Sequence, residues 1–187
     1  MKFLGSIFLV PAGLCLMLAG CATAPDPGDN SLSMVFGYID MATAPVTLKE
    51  VLIRRYDGPP ITLPTKVERN AWTERGGMFW NLGVEPGTYQ IYSFGDGKDS
   101  YDYGEETLNG TAIRIQKPGL YFMGSYAYTI KPRQIPGPEE FYLKPTASQH
   151  EAELLERLIR VMDSKNYDRI YPRQYGWLKK RLSELKR

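Results

Sequence analysis

The chain has 187 residues, a formal charge of +2 and 43% hydrophobic residues, which suits one globular domain with an appendage. A balance this close to neutral gives no reason to expect nucleic acid as a partner. One histidine and two cysteines are too few for a zinc site, which draws on several His or Cys ligands. No phosphate-cradling glycine loop and no Gly-x-Ser-x-Gly elbow occurs, so no cofactor is expected.

Met1-Lys2 supplies a basic start, and an apolar run from Phe3 to Leu18 follows. This is the layout of a secretory signal. The run contains Pro11 and falls short of the about 20 apolar residues of a membrane span, so a cleaved leader is expected over residues 1–20. Its end, Leu18-Ala19-Gly20-Cys21, resembles the lipobox of bacterial lipoproteins. That resemblance implies cleavage between Gly20 and Cys21, diacylglycerol on the Cys21 sulfur and usually a third acyl chain on the new amino terminus. Two or more chains anchor stably, whereas one does not. Cys15 leaves with the leader, so Cys21 becomes the only thiol and has no disulfide partner in its own chain. Residue 22 is Ala rather than Asp, which in Gram-negative lipoproteins implies export to the outer membrane. Residues 21–32 are small, polar and rich in Pro and Gly, and read as a flexible tether.

From 33 to 145 the chain reads as all-β. Runs rich in Val, Ile, Tyr, Phe and Thr alternate with Gly/Pro/Asp clusters at short spacing. Strands are expected at 34–39, 46–55, 65–72, 78–84, 88–94, 111–116, 120–130 and 140–144. Parity assigns Met78, Trp80, Leu82 and Val84 to one face and Phe79 and Asn81 to the other. It likewise groups Leu120, Phe122, Gly124, Tyr126, Tyr128 and Ile130, leaving Tyr121 on the opposite side. In 46–55, Val46 and Leu48 differ in parity from Val51 and Ile53, and a bulge near Lys49–Glu50 would bring both pairs to one core. Gly76-Gly77 reads as a hairpin turn, Pro86-Gly87 and Pro118-Gly119 as type II turns, and 95–110 as a surface loop or weak hairpin.

Residues 146–187 change to helical texture. Ser148 and Glu151 form a capping-box pattern. Leu154, Leu155, Leu158, Ile159 and Met162 follow at helical spacing, to an end near Ser164–Asn166. Pro172 suits a second start, with Tyr175, Leu178, Leu182 and Leu185 as its stripe. Two amphipathic helices are therefore expected, joined by a linker carrying Tyr167 and Tyr171. Lys179, Lys180, Arg181, Lys186 and Arg187 crowd the C-terminus. Helix C-termini favour cations, and the same cluster would suit anionic lipid or another envelope polymer.

The stretch Phe79-Trp80-Asn81-Leu82-Gly83-Val84-Glu85-Pro86-Gly87-Thr88-Tyr89-Gln90-Ile91, with Gly119-Leu120-Tyr121-Phe122-Met123-Gly124 further on, resembles transthyretin-like, carboxypeptidase-regulatory-like domains found in small bacterial lipoproteins. The resemblance implies an antiparallel β-sandwich acting as a binding or structural module. The paired C-terminal helices are outside that pattern.

Candidate chemistry is sparse. His150 alone could serve a Ser-His-Asp arrangement, and it falls in the first turn of the expected helix, a surface position. Asp96, Asp99 and Asp102 recur at spacing three in a loop that also carries Tyr101 and Tyr103. These carboxylates could contribute oxygens to a cation, though Lys98 intrudes and the spacing is not that of an EF-hand. Glu68, Glu105, Glu106, Glu139 and Glu140 are surface carboxylates for an alternative, glycosidase-like reading. Thirteen tyrosines and three tryptophans suit the core of a small β domain, or stacking on sugars and partner proteins. The expected role is a non-enzymatic envelope module. Its expected partners are the membrane, through lipid on Cys21, and an envelope protein or glycan; recruitment of a protein through the helices is the other alternative.

Overall fold

The computed structural model describes residues 25–56, 68–74, 76–102, 110–130, 141–147 and 149–187, Glu68 by its backbone alone. Gly20, Cys21, Tyr103, Glu105, Glu106, Glu139, Glu140 and Ser148 lie outside the described residues.

The protein is mainly β, with a helical C-terminus. The strands are β1 (Ser33–Asp40), β2 (Glu50–Arg55), β3 (Glu68–Thr73), β4 (Met78–Val84), β5 (Gly87–Gly95), β6 (Ser100–Asp102), β7 (Ile113–Ile115), β8 (Leu120–Ile130) and β9 (Phe141–Pro145). The helices are α1 (Glu151–Ser164), α2 (Tyr167–Ile170) and α3 (Pro172–Leu185). The strands form one sheet in the order β6-β5-β2-β3-β4-β1-β8-β9, with β7 also on β5. β3 is the corner: residues 68–71 pair with β2, while Trp72 and Thr73 pair with β4. The two outer strands then meet through side chains. Tyr101 of β6 lies 5.2 Å, ring to ring, from Phe141 of β9, and Phe94 of β5 lies 5.6 Å from the same ring. The sheet is thus nearly closed, which shelters its edges. The expectation of uniformly antiparallel strands fails at one place: β1 and β8 run parallel.

Closure creates two cores. The inner one gathers Val35, Ile39, Val51, Ile53, Phe79, Val84, Tyr89, Ile91, Phe94, Met123, Tyr126 and Tyr128. The outer one lies between the helices and the other face of β1, β4 and β8. It holds Met34, Phe36, Met78, Trp80 and Leu82 against Leu154, Leu155, Leu158, Met162, Tyr171 and Leu178. Each fully buried Leu or Met in that layer contributes on the order of 1.5–3 kcal/mol.

Two parity assignments are corrected here, and both trace to bulges. The β1–β4 register shifts between Ser33 and Val35, so Val84 turns inward to join Phe79 instead of staying with Met78, Trp80 and Leu82. The β1–β8 register shifts between Phe36 and Tyr38, where Phe36 pairs with Phe122 but Tyr38 with Ser125. Gly124, at φ 109°, absorbs the extra residue, a conformation glycine adopts without steric cost. Leu120 and Phe122 consequently face the helices, whereas Tyr126 and Tyr128 face inward. Tyr121 packs on the inner core, its hydroxyl donating to the Lys117 carbonyl at 2.8 Å.

Other boundaries also move. β2 begins only at Glu50, and Leu48 reaches the inner core from irregular chain ahead of it. Part of the 95–110 stretch is a hairpin, with β6 paired to the end of β5. Gly76-Gly77 makes the expected turn between β3 and β4, at φ 95° and 93°. Neither Pro-Gly step is a type II turn: Gly87 is already the first residue of β5, and Gly119 does not take positive φ. The N-cap of α1 is His150, whose exposed backbone N–H donates to Glu153 at 3.2 Å. The aromatic linker contains a one-turn helix of its own, α2, so the C-terminus has three helices rather than two.

Candidate binding surfaces

Antiparallel pairing puts the start of β2, the end of β3 and the end of β5 at one end of the barrel. Outward-facing positions there form a groove of about 560 Å³, lined by Lys49, Glu50, Asn70, Trp72, Thr73, Asp96 and Gly97 among others. The register explains the grouping. Val51 pairs with Ala71 and both face inward, so their even-numbered neighbours Glu50, Asn70 and Trp72 face out. The Asn70 amide donates to Glu50 at 3.2 Å, and the Thr73 hydroxyl donates to the Lys49 carbonyl at 2.8 Å. Trp72 is half-buried, its ring 6.3 Å from those of both Trp80 and Tyr167. Packing on both neighbours fixes one side of the indole while its remaining surface lines the groove.

The acidic loop is split by this arrangement. Asp96 lines the groove and closes the β5–β6 turn, its carboxylate accepting the amides of Lys98 at 2.9 Å and Asp99 at 3.0 Å. The Asp99 and Lys98 amide bonds, helped by the charges of Lys49 and Lys98, hold the Asp96 carboxyl below the usual carboxylate range. Asp99 and Asp102 are exposed, the latter accepting from the Ser100 hydroxyl at 3.4 Å. Tyr101 is taken up by the seam, 4.8 Å from Tyr128 and 5.4 Å from Phe94. Among the described residues no group of three His, Cys, Asp or Glu could hold a metal ion.

A second groove, of about 670 Å³, lies at the other end of the barrel between α3 and the start of β8. Its lining includes Lys117, Tyr121, Phe122, Trp177, Lys180 and Arg181. Arg181 is forked onto Glu151 at 2.7 and 3.0 Å and also lies 3.7 Å from Glu184. Among the described residues Lys117 and Lys180 have no ion-pair partner.

The N-terminal segment joins the body at this second end. The Pro25 side chain lies against Gly83 at the end of β4, and the Pro25 carbonyl accepts the Tyr171 hydroxyl at 3.3 Å. Asn30 accepts Arg173 through its carbonyl at 2.6 Å and its side chain at 2.8 Å. Turns at Asp26 and Asp29 stiffen the stretch between. No described helix is long and apolar enough to cross a membrane.

The groove residues Glu50, Asn70, Trp72 and Thr73 were not among the sequence candidates. The only signal for them was the alternation in Glu68-Arg69-Asn70-Ala71-Trp72-Thr73, whose polar members read as an ordinary wet face. No protein-family model matches the chain, and no curated protein sequence matches it.

Proposed function

We propose that the protein is a lipid-anchored, non-enzymatic binding module of the bacterial envelope. It is held by acyl chains on Cys21 at the outer membrane, and its ligand is envelope glycan. Its β domain is read as a transthyretin-like sandwich turned at β3, the inner core lying between the halves. The observation that carries the glycan reading is the Trp72 groove. A half-buried indole is flanked by an amide, a hydroxyl, a cation and two carboxylates, the mix of stacking surface and directional polar groups that suits a sugar ring. Asp96, kept ionised by its turn amides, is a hydrogen-bond acceptor there, not a proton donor. Because the N-terminal segment joins at the opposite end, and β4 alone spans about 20 Å between the ends, the groove faces away from the anchor.

The test is binding of the intact protein to purified peptidoglycan fragments and to lipopolysaccharide-derived oligosaccharides, followed by tryptophan fluorescence. Loss of one hydrogen bond on Asn70→Ala should weaken binding roughly two- to tenfold, with the melting temperature nearly unchanged. Saturable binding that Asn70→Ala and Glu50→Gln both leave intact would remove this groove from the reading; no binding to either glycan would remove the ligand class. The anchor is tested separately: Cys21→Ser should abolish acyl labelling and accumulate uncleaved precursor.

A further inference from the structure

Pro25 is four residues after Cys21 and is already fixed to the folded body through Gly83 and Tyr171. Four Cα steps reach at most about 14 Å whatever path they take. An acylated Cys21 therefore brings a bilayer surface to within that distance of the Pro25 end of the barrel. What that end presents is basic and aromatic. Arg173, Trp177 and Lys180 lie on one stripe of α3 at four- and three-residue spacing. The Arg173 guanidinium sits 4.9 Å over the Trp177 ring, and Lys117 and Lys180 are exposed. At the same end Glu85 is shared by Arg55 and Arg69 at 3.4 Å each, so the rim also carries more positive than negative charge. Of the carboxylates nearby, Glu151 and Glu184 are paired with Arg181, while Asp26 and Asp29, held in turns by backbone amides, keep their negative charge, the latter close enough to Arg173 to attract it.

We infer that this end of the barrel docks on the bilayer that holds the anchor, with Arg173, Lys180 and Lys117 against anionic phospholipid phosphates and Trp177 at headgroup depth. The inference rests on the Cys21 anchor. The short stem supplies proximity and the basic stripe supplies orientation. Charges within about 8 Å of an anionic surface act on it at physiological salt, and tryptophan favours the headgroup layer. Docking of this kind adds a second membrane signal to the lipid and fixes the Trp72 groove pointing outward.

The experiment uses the full acylated protein reconstituted in vesicles of phosphatidylcholine alone or mixed with phosphatidylglycerol, with bromine on the upper acyl chain as quencher. Quenching of tryptophan fluorescence is expected only in the phosphatidylglycerol vesicles. Trp177→Phe should abolish it, since Trp80 is buried and Trp72 lines the groove at the opposite end of the barrel, and a double Arg173→Glu, Lys180→Glu variant should abolish it with Trp177 in place. Quenching that is equal in both vesicles, or that survives either variant, overturns the docking. Acyl labelling and vesicle flotation of the same samples separate the premises. A labelled, floating protein without Trp177-dependent quenching overturns the orientation alone, whereas an unlabelled protein that does not float overturns the anchor and the docking together.

Discussion

Two Gly→Ala substitutions should move stability in opposite directions, because one glycine is required by backbone geometry and the other is not. Gly77 closes the β3–β4 turn at φ 93°. Its N–H donates to the Glu74 carbonyl at 3.2 Å, and its carbonyl receives the Ile39 N–H at 2.9 Å. A Cβ at this position would fall on the Ile39 carbonyl oxygen, a backbone atom held by the sheet and unable to rotate away. The unfavourable dihedral costs of order 1–3 kcal/mol, and moving the β1 backbone adds to it, so Gly77→Ala should lose at least about 2 kcal/mol. Gly176 is mid-helix in α3, exposed, with open space where its Cβ would go. There alanine gains about 0.8–1 kcal/mol of helix propensity. At about 2–4 °C per kcal/mol for a chain this size, the melting temperature should fall by at least about 4 °C for Gly77→Ala and rise by about 2–4 °C for Gly176→Ala. Guanidinium unfolding followed by circular dichroism reads both, with the slope m as a check that the unfolded states match. A Gly77→Ala protein within about 0.5 kcal/mol of the parent, the scatter of ordinary surface changes, would refute the claim that this turn is locked against β1.

Leu158→Ala removes a fully buried side chain from the layer between α1 and the sheet and should cost about 2–5 kcal/mol. Faster amide exchange in α1 and α3 than in β5 would identify the helical layer as the part released. Below the ordinary carboxylate range the protein should lose stability through Asp96, Asp29 and Glu156. The first is held down by its turn amides, the second mainly by its Ser31 hydrogen bonds, the third by Lys186. Each folded-state pKa is lowered, so the stabilisation is complete above the unfolded values of 3.8 for Asp and 4.5 for Glu and is lost as pH falls through the lower folded values. Denaturation midpoints measured across that range should drop less steeply in Asp96→Asn than in the parent; an unchanged slope would show that the turn bonds do not favour the ionised carboxyl.

The helices were legible in the sequence because their signal has contrast. Leu154, Leu155, Leu158 and Met162 are buried while Glu153, Glu156 and Arg160 lie between them on a wetter face, so a period of 3.6 stands out. The central strands lack that contrast. β1 and β4 are covered on both sides, by the inner core and by the helices, and their burial is nearly continuous. A period of two then carries little information about which face is which, and an inserted residue goes unnoticed. The error at Val84 arises there, where the β1–β4 register slips; the other lies on the neighbouring β8, at Gly124, where the positive φ lets Ser125 turn out toward Gln149 at 2.8 Å. The expected cap at Ser148 missed for a different reason. The cap is two residues later, at His150 with Glu153 three positions on, and histidine is not among the residue types that mark a cap in sequence.

The Trp72 groove was illegible because its members come from β2, β3 and the β5–β6 turn, and only the sheet's register brings them together. The same non-local logic changes the meaning of the N-terminal segment. Read by composition, residues 21–32 form a leash some ten residues long that lets the domain sample any orientation. The segment is bound at Pro25 and Asn30, so Cys21 is four Cα steps from a fixed point of the body. Flexible reach grows as roughly the square root of length, but a four-step connection is limited by its contour, about 14 Å, less than the length of β4. Proximity alone leaves the tilt of the barrel open, and the basic stripe sets it. Given the lipid on Cys21 and the stripe on the bilayer, the Trp72 groove, about 20 Å away along β4, points outward. Lengthening the stem with a flexible insert between Ala22 and Pro25 should therefore leave glycan binding in solution unchanged while freeing the orientation on vesicles, seen as weaker Trp177 quenching at equal flotation. Quenching undiminished by the insert would mean that the basic stripe holds the surface by itself, without help from the stem.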